Sequence, residues 1–297
     1  MKRKRFYVGL AFLSFMVFAY DFLELRTPDA TFIAELSNQQ GYEPRVNRYA
    51  FRDREMRYIE LGNERLPFVL FVHGSPSSSS FWTSFLSDSL LLSHAKLAAV
   101  DRPGYGYSGF GDLETSVEAQ AAAIAPILRE KRKEHDTVIL IGSSYGGTIC
   151  ARLAMDYPDL MDGVILQSSS VKPGAETTYW LTYPTSKWPL KWLIPTSIRN
   201  ANAEKLSHRL ELEKMLPFWE QVRAAVTILH GDEDGLIHPD NAYFARDQLV
   251  NAASVRLEMV RGSGHDLAWT ARELILDAIL GAIDGAKSGK IAALDNQ

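Results

Sequence analysis

One segment near the middle of the chain, Thr137-Val-Ile-Leu-Ile-Gly-Ser-Ser-Tyr-Gly-Gly-Thr148, constrains the fold more than any other. Its unbroken apolar run Val138–Ile141 predicts a strand that is buried on both faces. Gly142, Ser144 and Gly146 then follow in a G-x-S-x-G spacing, and a helical pattern comes directly after them. Because a strand that turns straight into a helix leaves little room at the corner, we expect Ser144 to be strained and to project its hydroxyl clear of the sheet.

The pentapeptide alone is weak evidence for a nucleophile, because glycine and serine are common in ordinary turns between a strand and a helix. A reactive serine also needs a base, an acid and amide donors for a developing oxyanion. The amide of Tyr145 is the first such donor, since it lies at the N-terminus of the following helix.

A recurring alternation of apolar runs, Gly/Ser loops and helical stretches begins at residue 67. It predicts an α/β fold with a mainly parallel sheet and helices on both faces, preceded by an antiparallel hairpin at the sheet edge. In such sheets, ligands bind at the carboxyl ends of the strands. The predicted strands are Arg45–Phe51, Glu55–Leu61, Phe68–Val72, Leu97–Val100, Val138–Ile141, Gly163–Leu166, Val226–Leu229 and Arg256–Val260.

The loops after the last two predicted strands offer an acid and a base. Asp234 lies on a turn bounded by glycines and is preferred to Asp232 and Glu233, which lie closer to the strand end. His265 follows a glycine-rich turn. We therefore expect His265 to take the proton of Ser144, with Asp234 fixing the imidazole tautomer.

The loop His73-Gly-Ser-Pro76 follows the strand Phe68–Val72 and offers a second oxyanion donor, the amide of Ser75. His73 is interpreted as a brace for this loop rather than as a base. The predicted oxyanion hole thus consists of the amides of Ser75 and Tyr145.

A G-x-G-x-x-G pattern at Gly104, Gly106 and Gly109 matches the fingerprint of a dinucleotide site. That fingerprint needs its glycines directly at a strand-to-helix turn. Here Asp-Arg-Pro intervenes and a polar loop delays the next helix, so we expect no nucleotide at this place.

Residues 171–223 interrupt the strand–helix rhythm and are rich in proline, tyrosine and tryptophan. They predict a short helical cap over the strand ends, closed by a helix over Ala203–Met215, and a cap over a site also lines it. The predicted substrate-binding residues are Trp82, Trp180, Trp188, Trp192 and Trp219.

The start of the chain combines a basic cluster, Lys2 to Arg5, with an apolar run from Phe6 to Tyr20. Residues 1–25 are therefore predicted to be an uncleaved signal anchor or, as the alternative, a cleaved signal peptide. In both cases the catalytic part would lie outside the cytoplasm, anchored to the membrane or exported. Residues 26–44 are interpreted as a linker with one short helix over Ala30–Ser37.

The net charge of −4 and the pI of about 6.0 give no basic surplus for nucleic-acid binding. The single cysteine, Cys150, cannot form an internal disulfide, and it is interpreted as a small buried core residue. No metal ligand set is predicted, and the oligomeric state is left open.

Five motifs together resemble the α/β-hydrolase superfamily, over about Arg45 to Ile283. They are His73-Gly-Ser-Pro, Asp101-Arg-Pro-Gly-Tyr-Gly-Tyr-Ser, Gly142-Ser-Ser-Tyr-Gly-Gly, Gly231-Asp-Glu-Asp with Pro239, and Gly262-Ser-Gly-His. The resemblance is greatest to the capped esterase, carbon–carbon hydrolase and haloperoxidase branch. It implies a core formed by residues 45–170 and 224–297.

The resemblance implies a cofactor-free serine hydrolase that cleaves a carboxylic ester, or a similar acyl compound, through an acyl-Ser144 intermediate. The tryptophan and tyrosine content of the cap predicts a small to medium, largely apolar substrate. Ser144 argues against the related haloalkane dehalogenases and epoxide hydrolases, which have aspartate at this position. Acyl transfer, carbon–carbon bond hydrolysis and perhydrolysis use the same triad and stay open, as does a non-catalytic binding protein on a hydrolase fold.

Overall fold

The computed structural model describes residues 24–37, 41–175, 177–178 and 180–295, with side chains up to residue 288. An eight-stranded sheet lies at the centre of this part of the chain, in the order β1-β2-β4-β3-β5-β6-β7-β8. The strands are β1 (Arg45–Phe51), β2 (Arg54–Leu61), β3 (Phe68–Val72), β4 (Lys96–Val100), β5 (Val138–Ser143), β6 (Gly163–Gln167), β7 (Ala225–Gly231) and β8 (Val255–Val260).

The sheet is mainly parallel, as the sequence predicts. β1 pairs with β2 and β2 with β4 in antiparallel fashion, and the remaining neighbours are parallel. Every residue of β3, β4, β5 and β6 is buried, which explains their continuous apolar runs. The chain moves from β3 to β4 on one side and then to β5 on the other side of β3. This reversal creates a crevice at the carboxyl ends of β3 and β5, where open α/β sheets bind ligands.

Helices cover both faces of the sheet, and the buried apolar side chains form one cluster on each face. One face is covered by α4, α5 and α8, and the other by α1, α2, α3 and α10. The α-helices of the described chain are α1 (Asp29–Leu36), α2 (Thr83–Leu86), α3 (Ser89–His94), α4 (Val117–Glu134), α5 (Tyr145–Asp156), α6 (Thr182–Thr185), α7 (Thr196–Met215), α8 (Asp240–Gln248), α9 (Leu267–Thr270) and α10 (Arg272–Asp295).

The segment between β6 and β7 contains α6, α7 and two short 3₁₀ helices, Leu190–Trp192 and Leu216–Gln221. α7 begins at Thr196, earlier than the predicted Ala203. The reason is a distant contact: Glu24 accepts hydrogen bonds from the amides of Thr196 (2.9 Å) and Ser197 (3.0 Å). These are amides of the first helical turn, which have no partner within the helix.

The N-terminal prediction lies mostly outside the described residues, which begin at Glu24. Among the described helices, none is long and apolar enough to cross a membrane. In the predicted linker 26–44, the described residues include a helix close to the predicted one over Ala30–Ser37. This helix is α1, whose Phe32 and Leu36 are fully buried in the core, and Asp29 at its start forms an ion pair with Arg57 (2.9 Å).

Candidate active site

Ser144 stands at the corner between β5 and α5 in a backbone conformation with φ 54° and ψ −120°. Positive φ is unfavourable for a residue with a Cβ, so the surrounding structure must impose it. Glycines on either side allow the close approach. A Cβ at Gly142 would lie 2.4 Å from the carbonyl oxygen of Gly146, and one at Gly146 would lie 2.3 Å from that of Val72. The strained serine that the motif predicts is therefore present.

His265 and Asp234 form a close pair on the loops after β8 and β7. The Nδ1–H of His265 donates to Oδ2 of Asp234 over 2.8 Å. This bond fixes the tautomer in which Nε2 carries a lone pair, as a general base requires. His265 and Ser144 line the same cavity, so the structure brings the three predicted residues together.

The Asp234 carboxylate is buried and stays ionised. Burial favours the neutral acid, but the hydrogen bond from His265 and the amides of Ile237 and Leu236 outweigh it, so that the pKa of Asp234 is lowered. Nearby His230 is buried and donates from Nε2 to the carbonyl of Ile237 (2.8 Å). Burial lowers the pKa of His230, which therefore stays neutral beside the acid.

The two predicted oxyanion donors lie on either side of the crevice. Tyr145 is the first residue of α5, so its amide has no partner within the helix. Ser75 lies on the loop after β3 and lines the cavity with Ser144. A Cβ at Gly74 would meet that of Ser144 at 3.1 Å, which shows how closely this loop approaches the elbow.

His73 braces this loop, as expected. Its Nδ1–H donates to the carbonyl of Gly74 (2.8 Å), and its Nε2 accepts from the amide of Arg102 (2.9 Å). Burial, with the nearby charge of Arg102, holds the pKa of His73 well below its ordinary value. The ring is therefore neutral and fully engaged, and it is not available as the base.

A buried ion pair ties the same loop to the cap. The guanidinium of Arg102 donates to the carbonyls of His73 (2.9 Å) and Gly74 (3.0 Å) and to the carboxylate of Glu204 (2.7 Å) on α7. The hydroxyl of Tyr105 also donates to Glu204 (2.7 Å) and lies 2.9 Å from Oγ of Ser75. Arg102 and Glu204 are almost entirely removed from solvent.

The G-x-G-x-x-G loop wraps around a buried carboxylate. Asp101 accepts from the amides of Ser79 (2.7 Å) and Tyr107 (2.9 Å) and from the guanidinium of Arg57 (2.9 Å). A Cβ at Gly106, where φ is +52°, would come within 2.2 Å of this carboxylate. Gly106 thus serves a packing role beside Asp101, whereas a Cβ at Gly104 or Gly109 would approach Asn200 or Arg54 instead.

Two cavities meet at Ser144. The larger, about 580 Å³, includes His265, Phe81 and Trp269 in its wall. The smaller, about 260 Å³, lies beneath the cap and includes Tyr145 and His208. Both are also lined by Ser75, Pro76, Ser144 and Leu236. An ester carbonyl held at Ser144 could therefore extend one part into each cavity.

The structure does not bring the five predicted substrate-binding tryptophans to these cavities. Trp82 and Trp219 are buried in the two core clusters, whereas Trp180, Trp188 and Trp192 are 65–77% exposed on the cap. None of the five is among the residues that line the two cavities. Aromatic content revealed the cap but not which side chains face inward.

Several cavity residues were not identified from the sequence. Leu25, Arg26 and Thr27 line the larger cavity because the N-terminal segment crosses its edge. His208 is 1% exposed and stacks on the ring of Tyr145, with ring centroids 4.7 Å apart. No local pattern identifies these residues, since each reaches the site through a contact distant in sequence.

One group of possible metal ligands occurs elsewhere, formed by Glu64, Glu134 and His135. It lies near the amino ends of the strands, where His135 stacks on Phe68, the first residue of β3. Both carboxylates already pair with lysine ammonium groups. This group therefore lies at the opposite ends of the strands from Ser144 and takes no part in the chemistry of Ser144.

The comparisons with known proteins agree with this geometry. A family model described as the α/β-hydrolase fold matches residues 67–192. The matched span and the solved structures thus show the α/β-hydrolase fold. A candidate lipase from Acinetobacter baumannii has the same fold, with 20% identity, a TM-score of 0.66, and coverage of 89% of this chain and 99% of that one.

Two curated relatives match shorter stretches. A 1-acylglycerol-3-phosphate O-acyltransferase of Arabidopsis thaliana is 29% identical over 154 residues, which are 48% of this chain and 36% of the relative. An esterase of Mycobacterium tuberculosis is 33% identical over 102 residues, 34% of this chain and 32% of the relative. The chain thus spans about a third of the length of each.

Proposed function

We propose that this protein is an α/β-hydrolase and that it cleaves a carboxylic ester through an acyl-Ser144 intermediate. The observation that carries the proposal is the convergence on one crevice of the strained Ser144 and the hydrogen-bonded pair of His265 and Asp234. The names of an esterase and a candidate lipase among the similar proteins support the same reaction class.

In the proposed mechanism, Nε2 of His265 removes the hydroxyl proton of Ser144 as the oxygen attacks the ester carbonyl. The oxyanion that forms accepts from the amides of Ser75 and Tyr145. His265 then protonates the departing alkoxide, and Asp234 stabilises the transient imidazolium. A water molecule, deprotonated by His265, then attacks the acyl-enzyme, and His265 returns that proton to Oγ of Ser144 as the acid is released.

The test uses p-nitrophenyl esters of increasing acyl length with the full-length protein and its Ser144→Ala variant. We expect hydrolysis by the wild type and a loss of about 10⁴-fold or more in the variant. The control is Ser93→Ala on α3, since Ser93 is exposed and lines neither cavity. If Ser144→Ala kept wild-type activity, the proposal would be refuted.

Acyl transfer is a second candidate, favoured by the similarity to an O-acyltransferase. The same acyl-Ser144 species could be attacked by an alcohol instead of water. Adding glycerol or a lysophospholipid to the assay distinguishes the two, because transfer yields a new ester, whereas hydrolysis yields only free acid.

The proposal for the N-terminus is that residues 1–25 anchor the protein to a membrane with the catalytic part outside the cytoplasm; cleavage of a signal peptide is the alternative. The basic cluster and apolar run support it. N-terminal sequencing of the protein recovered from membranes distinguishes them. An intact Met1 in carbonate-washed membranes supports the anchor, and an N-terminus near residue 20 in the soluble fraction supports cleavage.

A further inference from the structure

The outer side of the cap carries an unusual concentration of exposed apolar side chains. Six large hydrophobic residues within a span of 14 are each more than half exposed, out of nine such residues in the described chain. We call these six the cap patch: Trp180, Leu181, Tyr183, Trp188, Trp192 and Leu193. Exposed apolar side chains gathered in this way mark sites of interaction with a protein or a membrane.

The composition of the cap patch fits a lipid surface. Tryptophan and tyrosine favour the boundary between lipid headgroups and acyl chains. Lys187 and Lys191 interleave with the aromatic residues, and residues 180–193 contain no acidic side chain. Arg199 adds a third cation, with its guanidinium 5.6 Å from the ring of Trp192. Such a mixture of aromatic and basic side chains suits anionic phospholipid headgroups.

The short elements of the patch are fixed to the cap rather than free. Asn202 on α7 donates to the hydroxyl of Thr185 at the end of α6 (2.9 Å). Within the following turn, the amide of Trp192 donates to the carbonyl of Pro189 (3.1 Å). The patch is thus presented on a structured surface, so its exposure is a property of the folded cap.

The place where the described chain begins gives the second, independent argument. Glu24 accepts from the amides of Thr196 and Ser197, directly after the cap patch in sequence. In sequence, Glu24 comes shortly after the apolar run Phe6–Tyr20, for which a membrane anchor or signal peptide is proposed above. The next residues, Leu25 to Thr27, line the larger cavity at Ser144. The described chain therefore begins beside the segment that carries the cap patch and continues along the wall of the larger cavity.

We propose that the cap patch docks on a phospholipid bilayer containing anionic lipid, and that this contact places the cavity at Ser144 next to the membrane surface. This docking is proposed both for a protein that retains residues 1–25 and for one from which they are cleaved. The consequence for substrate class, an ester drawn from the bilayer, rests on the proposed hydrolase function. The docking itself does not.

The docking test measures tryptophan fluorescence of the full chain on vesicles of phosphatidylcholine and phosphatidylglycerol, with bromine on the phosphatidylcholine acyl chains. We expect bromine-dependent quenching in the wild type. The combined Trp180→Phe, Trp188→Phe and Trp192→Phe variant should lose most of it, because three of the four exposed tryptophans are gone. Absent quenching, or quenching that persists in the variant, overturns the proposal. Quenching would be absent in the wild type if the leader, rather than a bilayer, were the partner of the cap patch.

A kinetic test asks whether the docking serves catalysis. The Trp188→Asp and Trp192→Asp double variant should hydrolyse a vesicle-embedded ester about tenfold more slowly, with the rate on a soluble short-chain ester unchanged. The control is Val250→Asp. Val250 is 66% exposed and precedes β8, at the amino ends of the parallel strands, whereas the cap lies at their carboxyl ends. Equal losses on both substrates would refute the docking role. Inactivity of every protein on both esters, with quenching intact, would instead refute the hydrolase function.

Discussion

Removing the carboxylate of Glu204 should both destabilise the protein and displace the loop His73–Pro76, which carries Ser75. Glu204 is the carboxylate partner of Arg102, and both side chains are at most 1% exposed. In Glu204→Ala, the guanidinium keeps its bonds to the carbonyls of His73 and Gly74 but loses its counter-charge. Leaving a buried charge without its partner costs about 3–5 kcal/mol of folding free energy.

That cost is measurable by urea unfolding followed by circular dichroism. With a urea m-value of about 3 kcal/mol/M, the midpoint should fall by about 1 to 1.7 M. The control is Glu213→Ala on the same helix, whose partner Arg209 is 70% exposed. An exposed pair of this kind contributes about 0.5 kcal/mol or less, so the control should hardly shift.

The catalytic effect of Glu204→Ala follows from the same contacts. Arg102 donates hydrogen bonds to the two carbonyls that precede Ser75, so loss of its carboxylate partner should displace the amide of Ser75, the proposed oxyanion donor. Loss of one such donor costs about 10²–10³-fold in kcat. We expect kcat to fall towards that limit while KM changes little. A Glu204→Ala protein with the stability and kcat of the wild type would refute the reasoning about this network.

Three further outcomes are expected. Gly146→Ala should fold poorly or not at all, seen as a lower melting temperature, because its Cβ would lie 2.3 Å from the carbonyl oxygen of Val72. Asp234→Asn should retain the fold but lose about 10⁴-fold in kcat on a soluble ester. The folded-state pKa of Asp234 is below its ordinary value of 3.8, so the ionised carboxylate stabilises the fold above pH 4, and this stabilisation is lost as the pH falls through the folded pKa. In an acid titration of the free energy of unfolding, Asp234→Asn should lack this loss. Cys150 should not react with a thiol reagent in the native protein, because it is fully buried and burial raises its pKa.

Each of these outcomes has a contradicting result. A wild-type melting temperature for Gly146→Ala would contradict the first, near-wild-type kcat for Asp234→Asn would contradict the second, and stoichiometric labelling of Cys150 without denaturant would contradict the third.

Much of the sheet could be predicted from the sequence because its signals are local. Each of the strands β3 to β6 contains a continuous apolar run, as burial on both faces of a parallel sheet favours. Ser144 could also be predicted from the sequence, because the glycines around it are needed: a Cβ at Gly142 or Gly146 would lie only 2.3 to 2.4 Å from a backbone oxygen. The loops that carry Asp234 and His265 follow from strand order, because parallel strands deliver their carboxyl ends to one edge.

The cap could not be predicted in the same detail, because distant contacts determine it. The start of α7 depends on Glu24, which is 172 residues earlier in the chain. Which tryptophans face inward depends on how the cap elements pack. Trp219 turns into the core and Trp192 turns outward, although both belong to short 3₁₀ helices in the same segment. A count of aromatic residues carries no information on that choice.

Covalent labelling of Ser144 tests the central claim most directly. A fluorophosphonate probe should add to the native full-length protein with a stoichiometry of about one, as measured by intact mass, because only an activated serine is nucleophilic enough to react. Digestion should place the adduct on the peptide containing Gly142 to Gly147, and His265→Ala should abolish it. An unlabelled native protein, or an adduct on a different residue, would contradict the account.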